Sequence, residues 1–133
     1  MRLVNDDVLG TIAVWQEAQG ECFEGKVAVA EVIRRRTRRK YMSDGTIAGT
    51  IFRALQFSGF NSSSPIRARS FMLDGDDPVV RECAEAWRRS IDTNYSGGAV
   101  HYYAPRYCNP VWARGAEVVA EIGQHRFVIP EEG

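Results

Sequence analysis

Hydrophobic positions recur with a helical period over the first forty residues of the chain. Asn5 or Asp6 can cap a first helix, and Gly20 is a stop signal for it. A second helix is predicted from about Phe23 to Lys40, and its middle is apolar almost all round. That pattern is typical of a buried central helix in a small domain. The spacing of the first helix is carried by Val8, Leu9, Ile12, Ala13 and Gln16.

Two further helices, the first of them short, are predicted after a turn at Asp44-Gly45. They span Thr46–Leu55 and about Pro78–Thr93, and Asp77 can cap the second one. Between them, Gln56–Arg69 is rich in Ser, Gly, Asn and Pro and is predicted to be a loop, although it also contains two phenylalanines.

The last third of the chain favours β-structure. Ala99–Tyr103 is a predicted strand, and Val118–Ile122 pairs with Arg126–Ile129 in a predicted hairpin that closes near Gly123-Gln124. The predicted fold class is therefore α+β and mostly α, one domain over residues 1–133 with a small C-terminal hairpin or sheet.

Composition narrows the function classes. Seventeen basic and seventeen acidic residues cancel, so the chain as a whole is not built to bind a polyanion. Cys22, Cys83 and Cys108 have neither metal nor redox spacing and are expected to be reduced thiols. His101, His125 and Cys108 match no zinc motif, so we expect no metal and no cofactor.

No segment of the sequence reads as a targeting or membrane signal. The first seven residues lack the apolar stretch of a signal peptide, and no run approaches the ~18 apolar residues that span a membrane. We expect a monomer that is made in the cytoplasm. If its substrate lies outside the membrane, release, injection or export by another factor must bring it there.

Glu17 is the first candidate for chemistry. It lies near the end of the first helix, just before the buried second helix begins. A carboxyl group placed where two helices meet can be partly desolvated, which raises its pKa and lets it act as an acid near neutral pH. On position alone, a glutamate at a helix end is more often a solvated surface residue.

Two further segments suit a saccharide ligand. Sugar faces stack on aromatic rings while the hydroxyl and acetamido groups form hydrogen bonds, and Gln56–Asn61 supplies both kinds of partner. His101, Tyr102 and Tyr103 form a strand that ends in polar aromatic side chains. A packed loop and ordinary core packing explain the same residues, and Trp112 fits a core position as well as a ligand platform.

The strongest indication of a different function is a basic run. Six of the seven residues from Arg34 to Lys40 are Arg or Lys and could bind nucleic acid phosphates. Cations also stabilise the C-terminal end of a helix, and no groove-reading motif accompanies them. We therefore expect no nucleic acid partner, and a cationic rim facing an anionic cell wall explains the run equally well.

Five segments in order resemble the SleB-type cell-wall hydrolase family, which includes spore cortex-lytic enzymes and phage lysins. Together they cover nearly the whole chain. The segments are Glu17-Ala18-Gln19-Gly20-Glu21, Glu24 to Val32, Gln56-Phe57-Ser58-Gly59-Phe60, Gly97 to Pro105, and Ile122 to Phe127.

The resemblance implies a lysozyme-like fold related to lytic transglycosylases and a peptidoglycan substrate, cleaved between N-acetylmuramic acid and N-acetylglucosamine. The family's catalytic glutamate corresponds to Glu17. The expected substrate contacts are Gln56, Ser58, Phe60, Asn61, His101, Tyr102 and Tyr103. The chain departs from the family at Arg35-Arg36, where Asn-Arg is common, which changes how the helix end is held or how the cleft rim meets substrate.

The implied mechanism needs a single carboxyl group. Glu17 would protonate the glycosidic oxygen, and the muramic 6-hydroxyl would attack its own anomeric carbon to give a 1,6-anhydro product. Alternatives remain: a hydrolytic muramidase that uses Glu21, Asp74 or Asp76 as a second carboxylate, a peptidoglycan-binding module without activity, or a nucleic-acid-binding protein. By analogy the chain resembles a phage endolysin or virion-associated lysin more than a secreted spore protein.

Overall fold

The buried second helix organises the fold. A computed structural model describes residues 5–55, 69–70 and 72–131 of the chain. Its elements are four α-helices, a short 3-10 helix and three strands: α1 (Asp6–Ala18), α2 (Phe23–Arg39), α3 (Ile47–Leu55), α4 (Pro78–Arg89), β1 (His101–Tyr103), the 3-10 helix (Val111–Ala113), β2 (Glu117–Ile122) and β3 (His125–Ile129). The prediction of a mostly helical α+β fold is confirmed.

Helix α2 lies at the centre and packs against α1, α3 and α4. Every residue from Gly25 to Ile33 is buried, which is why its sequence is apolar almost all round. The helix ends at Arg39, and Lys40 follows in the left-handed conformation with its N–H bonded to the carbonyls of Arg36 and Thr37.

Helix α1 begins as predicted, because the Asn5 side chain accepts a hydrogen bond of 2.6 Å from the backbone N–H of Asp7. Its buried face differs from the predicted one, since Val8 is half exposed and Trp15 is buried instead. At Gly10 the helix meets α4 so closely that a Cβ atom would lie 2.1 Å from the Trp87 ring. Glycine is therefore required at this crossing.

Helix α4 is capped by Asp77, whose carboxylate accepts from the N–H groups of Val79 and Val80. The predicted end at Thr93 is wrong, because the helix stops at Arg89. Thr93 lies beyond it and donates its hydroxyl to the Glu31 carboxylate on α2, at 2.5 Å. This tertiary contact holds Thr93 against α2, outside the helix.

The three strands form an antiparallel sheet in the order β1-β3-β2. The predicted hairpin is present as β2 and β3, with Gly123 at φ 57° in its turn. The regular strand β1 begins at His101 rather than Ala99, and the buried Ala99 and Val100 lead into it. Phe127 of β3 belongs to the core that the helices form, and Val128 beside it is also fully buried.

Two buried charged residues of α2 hold the turn that leads into β1. The Glu31 carboxylate is 2% exposed and accepts four hydrogen bonds, from the hydroxyls of Thr93 and Ser96 and the backbone N–H groups of Tyr95 and Ser96. One turn later, the Arg35 guanidinium donates to Asn94, Ser96 and the Ala99 carbonyl. This network sets where β1 starts relative to α2.

Candidate active site

Glu17 lies in the last turn of α1 and faces a cleft of about 490 Å³. Residues from α1, α2, α3, all of β1, the 3-10 segment and the start of β3 line this cleft. They are Glu17, Arg36, Met42, Arg53, Ala54, His101, Tyr102, Tyr103, Ala104, Cys108, Pro110, Trp112 and His125. Sequence-distant segments therefore meet around one carboxyl group.

The carboxyl group of Glu17 is tuned by opposing influences. Burial raises its pKa above the ordinary value of 4.5, because the charged form loses solvation. The guanidinium of Arg36 and a hydrogen bond with Tyr102 act in the opposite direction by stabilising the carboxylate. The pKa of Glu17 is raised overall, so its carboxyl group stays protonated to a higher pH than that of an exposed glutamate.

Tyr102 presents its hydroxyl to Glu17 from the middle of β1. Its ring packs edge-on against His125, with 5.2 Å between ring centroids, and tilts against Phe127 at 5.8 Å. Burial and the neighbouring Glu17 carboxylate raise the pKa of Tyr102 well above its ordinary value. The phenol therefore remains neutral and can serve as a hydrogen-bond donor to the carboxylate.

Arg36 reaches the cleft from the C-terminal part of α2. Its Nε donates to the Val100 carbonyl at 2.7 Å, and its Nη2 lies 3.0 Å from Nδ1 of His101. These two contacts fix the guanidinium against the segment that enters β1. A fixed cation beside Glu17 stabilises the negative charge that remains after the acid releases its proton.

His101 is held as a neutral ring. Arg36 can only donate, so Nδ1 accepts, which leaves the proton on Nε2 for the Tyr41 hydroxyl at 2.8 Å. Burial and the Arg36 charge lower the pKa of His101 to about 4. The imidazole therefore positions its neighbours rather than exchanging protons near neutral pH.

An aromatic wall forms the rim beside Arg36. Trp112 is 42% exposed, and its ring lies 4.6 Å from that of His101 and 5.7 Å from that of Tyr103, centroid to centroid. The Tyr103 hydroxyl accepts from Arg126 at 3.2 Å. Since Trp112 is half exposed and contacts cleft residues, its position fits the ligand-platform interpretation better than a core role.

The carboxylates considered as second catalytic groups lie elsewhere. The Glu21 carboxylate accepts from the backbone N–H of Gln124 at 2.8 Å and lies 3.4 Å from Nδ1 of His125, so it braces the β2–β3 turn. Asp74 accepts from the N–H of Asp76 in the loop before α4 and lines a different cavity. Among the residues that the structure describes, Glu17 is the only carboxylate lining its cleft.

The structure brings together half of the predicted site residues. Glu17, His101, Tyr102 and Tyr103 all line the cleft. The predicted contacts Gln56, Ser58, Phe60 and Asn61 lie outside the described residues. The functional roles of both groups remain predictions.

The sequence interpretation did not assign Arg36, Tyr41, Arg53 or His125 to the site. Arg36 lies within a run of cations that is also explained by the stabilising effect of positive charge at the C-terminal end of a helix. The departure at Arg35-Arg36 was the one signal that this helix end matters.

Half of the basic run points inward. Arg34 donates to the Ser90 hydroxyl and the Trp87 carbonyl, and its guanidinium stacks 3.8 Å from the Trp87 ring centroid. Arg35 and Arg36 have the fixed acceptors described above, whereas Arg38, Arg39 and Lys40 are exposed. The continuous basic face that phosphate binding needs is therefore reduced to three residues.

Over residues 5–55, 69–70 and 72–131, no group of three His, Cys, Asp or Glu side chains is arranged to hold a metal ion. Within the same ranges, every helix is too short or too polar to span a bilayer. Cys22, Cys83 and Cys108 are all unpaired, and burial raises the pKa of the Cys83 thiol to about 11.

The sequence matches a known protein family. Residues 20–128 match the cell wall hydrolase family. Spore cortex-lytic enzymes of Oceanobacillus iheyensis and Halalkalibacterium halodurans are each 30% identical to the chain over 92% of its length. The chain spans 41% and 34% of those two relatives, respectively.

Solved structures agree with the fold. The catalytic domain of the Bacillus cereus SleB protein superposes with a TM-score of 0.75 at 26% identity, over 93% of this chain and 89% of that one. The catalytic domain of the germination-specific lytic transglycosylase SleB from Bacillus anthracis gives 0.71 at 23% identity, over 95% and 96%. From the family match over most of its length, the chain belongs to the cell wall hydrolase family.

Proposed function

We propose that the protein cleaves the glycan strands of peptidoglycan between N-acetylmuramic acid and N-acetylglucosamine, as a lytic transglycosylase whose acid is Glu17. The observation that carries this proposal is a partly buried carboxyl group with a raised pKa at an aromatic-walled cleft. Membership of the cell wall hydrolase family supports the substrate, and the likeness to the catalytic domains of SleB proteins supports the reaction class.

In the first step, protonated Glu17 would donate its proton to the glycosidic oxygen as the bond breaks. The carboxylate that forms would be stabilised by the Arg36 guanidinium and by the Tyr102 hydroxyl, the two groups that favour its charged form. Burial thus keeps the proton available before the reaction, and the two neighbours accommodate the charge after it.

In the second step, the muramic 6-hydroxyl would attack the anomeric carbon of its own sugar and return a proton to Glu17. This intramolecular attack replaces the water molecule that a second carboxylate would activate. It is consistent with the single carboxylate that lines the described part of the cleft. The product would carry a 1,6-anhydro ring.

A matched pair of substitutions tests the role of Glu17. Glu17→Gln removes the proton but keeps the shape, and we expect release of soluble saccharides from purified peptidoglycan to fall ~10²–10⁴-fold. Glu24→Gln makes the same chemical change at an exposed position on α2 and should retain near-wild-type activity. A Glu17→Gln protein that keeps half of the wild-type activity would show that another group is the acid.

A further inference from the structure

The charge of the cleft differs from that of the whole molecule. Its described lining contains two arginines, Arg36 and Arg53, against the single carboxyl group of Glu17. Of the two histidines in this lining, His101 adds no positive charge near neutral pH, because burial and the Arg36 charge lower its pKa to about 4. Burial also lowers the pKa of His125, which disfavours its charged form. When Glu17 is protonated for catalysis, the cleft is therefore cationic in a chain whose net charge is zero.

The two arginines serve different purposes. Arg36 is held by the Val100 carbonyl and by His101. Arg53 lies in the last turn of α3 with an exposed side chain, and its guanidinium makes no ion pair or hydrogen bond to the residues that the structure describes. Its planar guanidinium can therefore offer two parallel N–H donors to a ligand at the cleft rim, the geometry that suits a carboxylate.

We propose that Arg53 binds a carboxylate of the substrate and makes the enzyme prefer anionic over neutral glycan strands. This inference rests on the proposed function. In peptidoglycan the carboxylate has two sources. It is the lactyl group of muramic acid where the peptide stem has been removed, or a carboxylate of the stem where the peptide is present.

The expected effect is modest because Arg53 is exposed. Ion pairs in contact with water contribute little, so losing this one should lower kcat/KM about two- to fivefold at low ionic strength. Added salt should shrink the difference, since exposed charges are screened. Lysine keeps the charge without the planar fork, so Arg53→Lys should fall between wild type and Arg53→Gln.

The test compares wild type, Arg53→Gln, Arg53→Lys and Arg89→Gln. Arg89 is a matched control, because it is also an exposed arginine in the last turn of a helix but does not line the cleft. Three substrates are used: intact peptidoglycan, strands stripped of peptides by an amidase, and stripped strands whose lactyl carboxylates are converted to neutral methylamides. Thermal unfolding of each variant checks that the fold is unchanged.

A lower kcat/KM of Arg53→Gln than of wild type on intact peptidoglycan supports recognition of a stem carboxylate. A lower kcat/KM on stripped strands, with no difference once the lactyl carboxylates are neutralised, supports recognition of the lactyl group. The inference is overturned if Arg53→Gln and Arg89→Gln have the same kcat/KM on all three substrates. It is also overturned if Arg53→Gln lowers kcat/KM as much on the neutral strands as on the charged ones. If wild type releases no products from any substrate, the proposed function fails instead.

Discussion

At the scale of single residues, Glu17 combines a cost in stability with a use in chemistry. Burial makes its charged form unfavourable, while Arg36 and Tyr102 recover part of that loss. A carboxyl group with only the burial would resist giving up its proton. One with only the two partners would be ionised at neutral pH and could not act as the acid. Burial lets Glu17 hold its proton before the reaction, and Arg36 and Tyr102 stabilise the carboxylate that forms when the proton is released.

The same balance predicts how Glu17→Gln changes stability. Because the folded protein keeps this proton above pH 4.5 while the unfolded chain loses it, the free energy of unfolding falls as pH rises through that range. Glu17→Gln removes the titration, so we expect it to be more stable than wild type at pH 8. Chemical denaturation at pH 8 and pH 4 should show the advantage shrinking at the lower pH. An equal difference at both pH values would rule out this explanation.

At the scale of elements, the end of α2 is the part that positions the cleft. Glu31 and Arg35 hold the turn before β1, and Arg36 holds the Val100 carbonyl and the first residue of the strand. The strand then carries His101, Tyr102 and Tyr103 to the cleft. The basic segment, which the sequence explains as cations that stabilise a helix end or form a cationic rim, thus connects the core helix to the site.

Arg35→Ala should therefore destabilise the fold by about 2–4 kcal/mol, because it leaves buried acceptors such as the Ala99 carbonyl without their donor. Arg38→Ala, on the same helix but exposed, should change stability by less than about 0.5 kcal/mol. Urea denaturation measures both. Similar effects from the two substitutions would mean that the Arg35 network contributes little.

Elements with local signals could be predicted from the sequence. The caps at Asn5 and Asp77, the buried helix α2 and the hairpin turn at Gly123 each depend on residues that are close together in the chain. The end of α4 and the inward direction of Arg34, Arg35 and Arg36 could not be predicted. The partners of these arginines lie some fifty to sixty-five residues further along the chain, and Glu31, the acceptor for Thr93, lies 62 residues before it, so only the tertiary fold identifies them.

At the scale of the whole molecule, part of the candidate site could be predicted from the sequence and part could not. Glu17 and β1 could be named through the family's motifs, and the structure places them at one cleft. The cationic character of that cleft was invisible in a chain with equal numbers of acidic and basic residues. It emerges only when the fold brings Arg36 and Arg53 to the same rim while the other carboxylates considered, Glu21, Asp74 and Asp76, lie elsewhere.

The chemical identity of the products tests the proposed mechanism most directly. Purified peptidoglycan is incubated with wild type or with Glu17→Gln, and the soluble fragments are analysed by mass spectrometry. We expect fragments with 1,6-anhydromuramic ends from wild type and none from Glu17→Gln. Fragments that are heavier by one water and carry reducing ends would contradict the transglycosylase mechanism, and the same fragments from both proteins would contradict the role of Glu17.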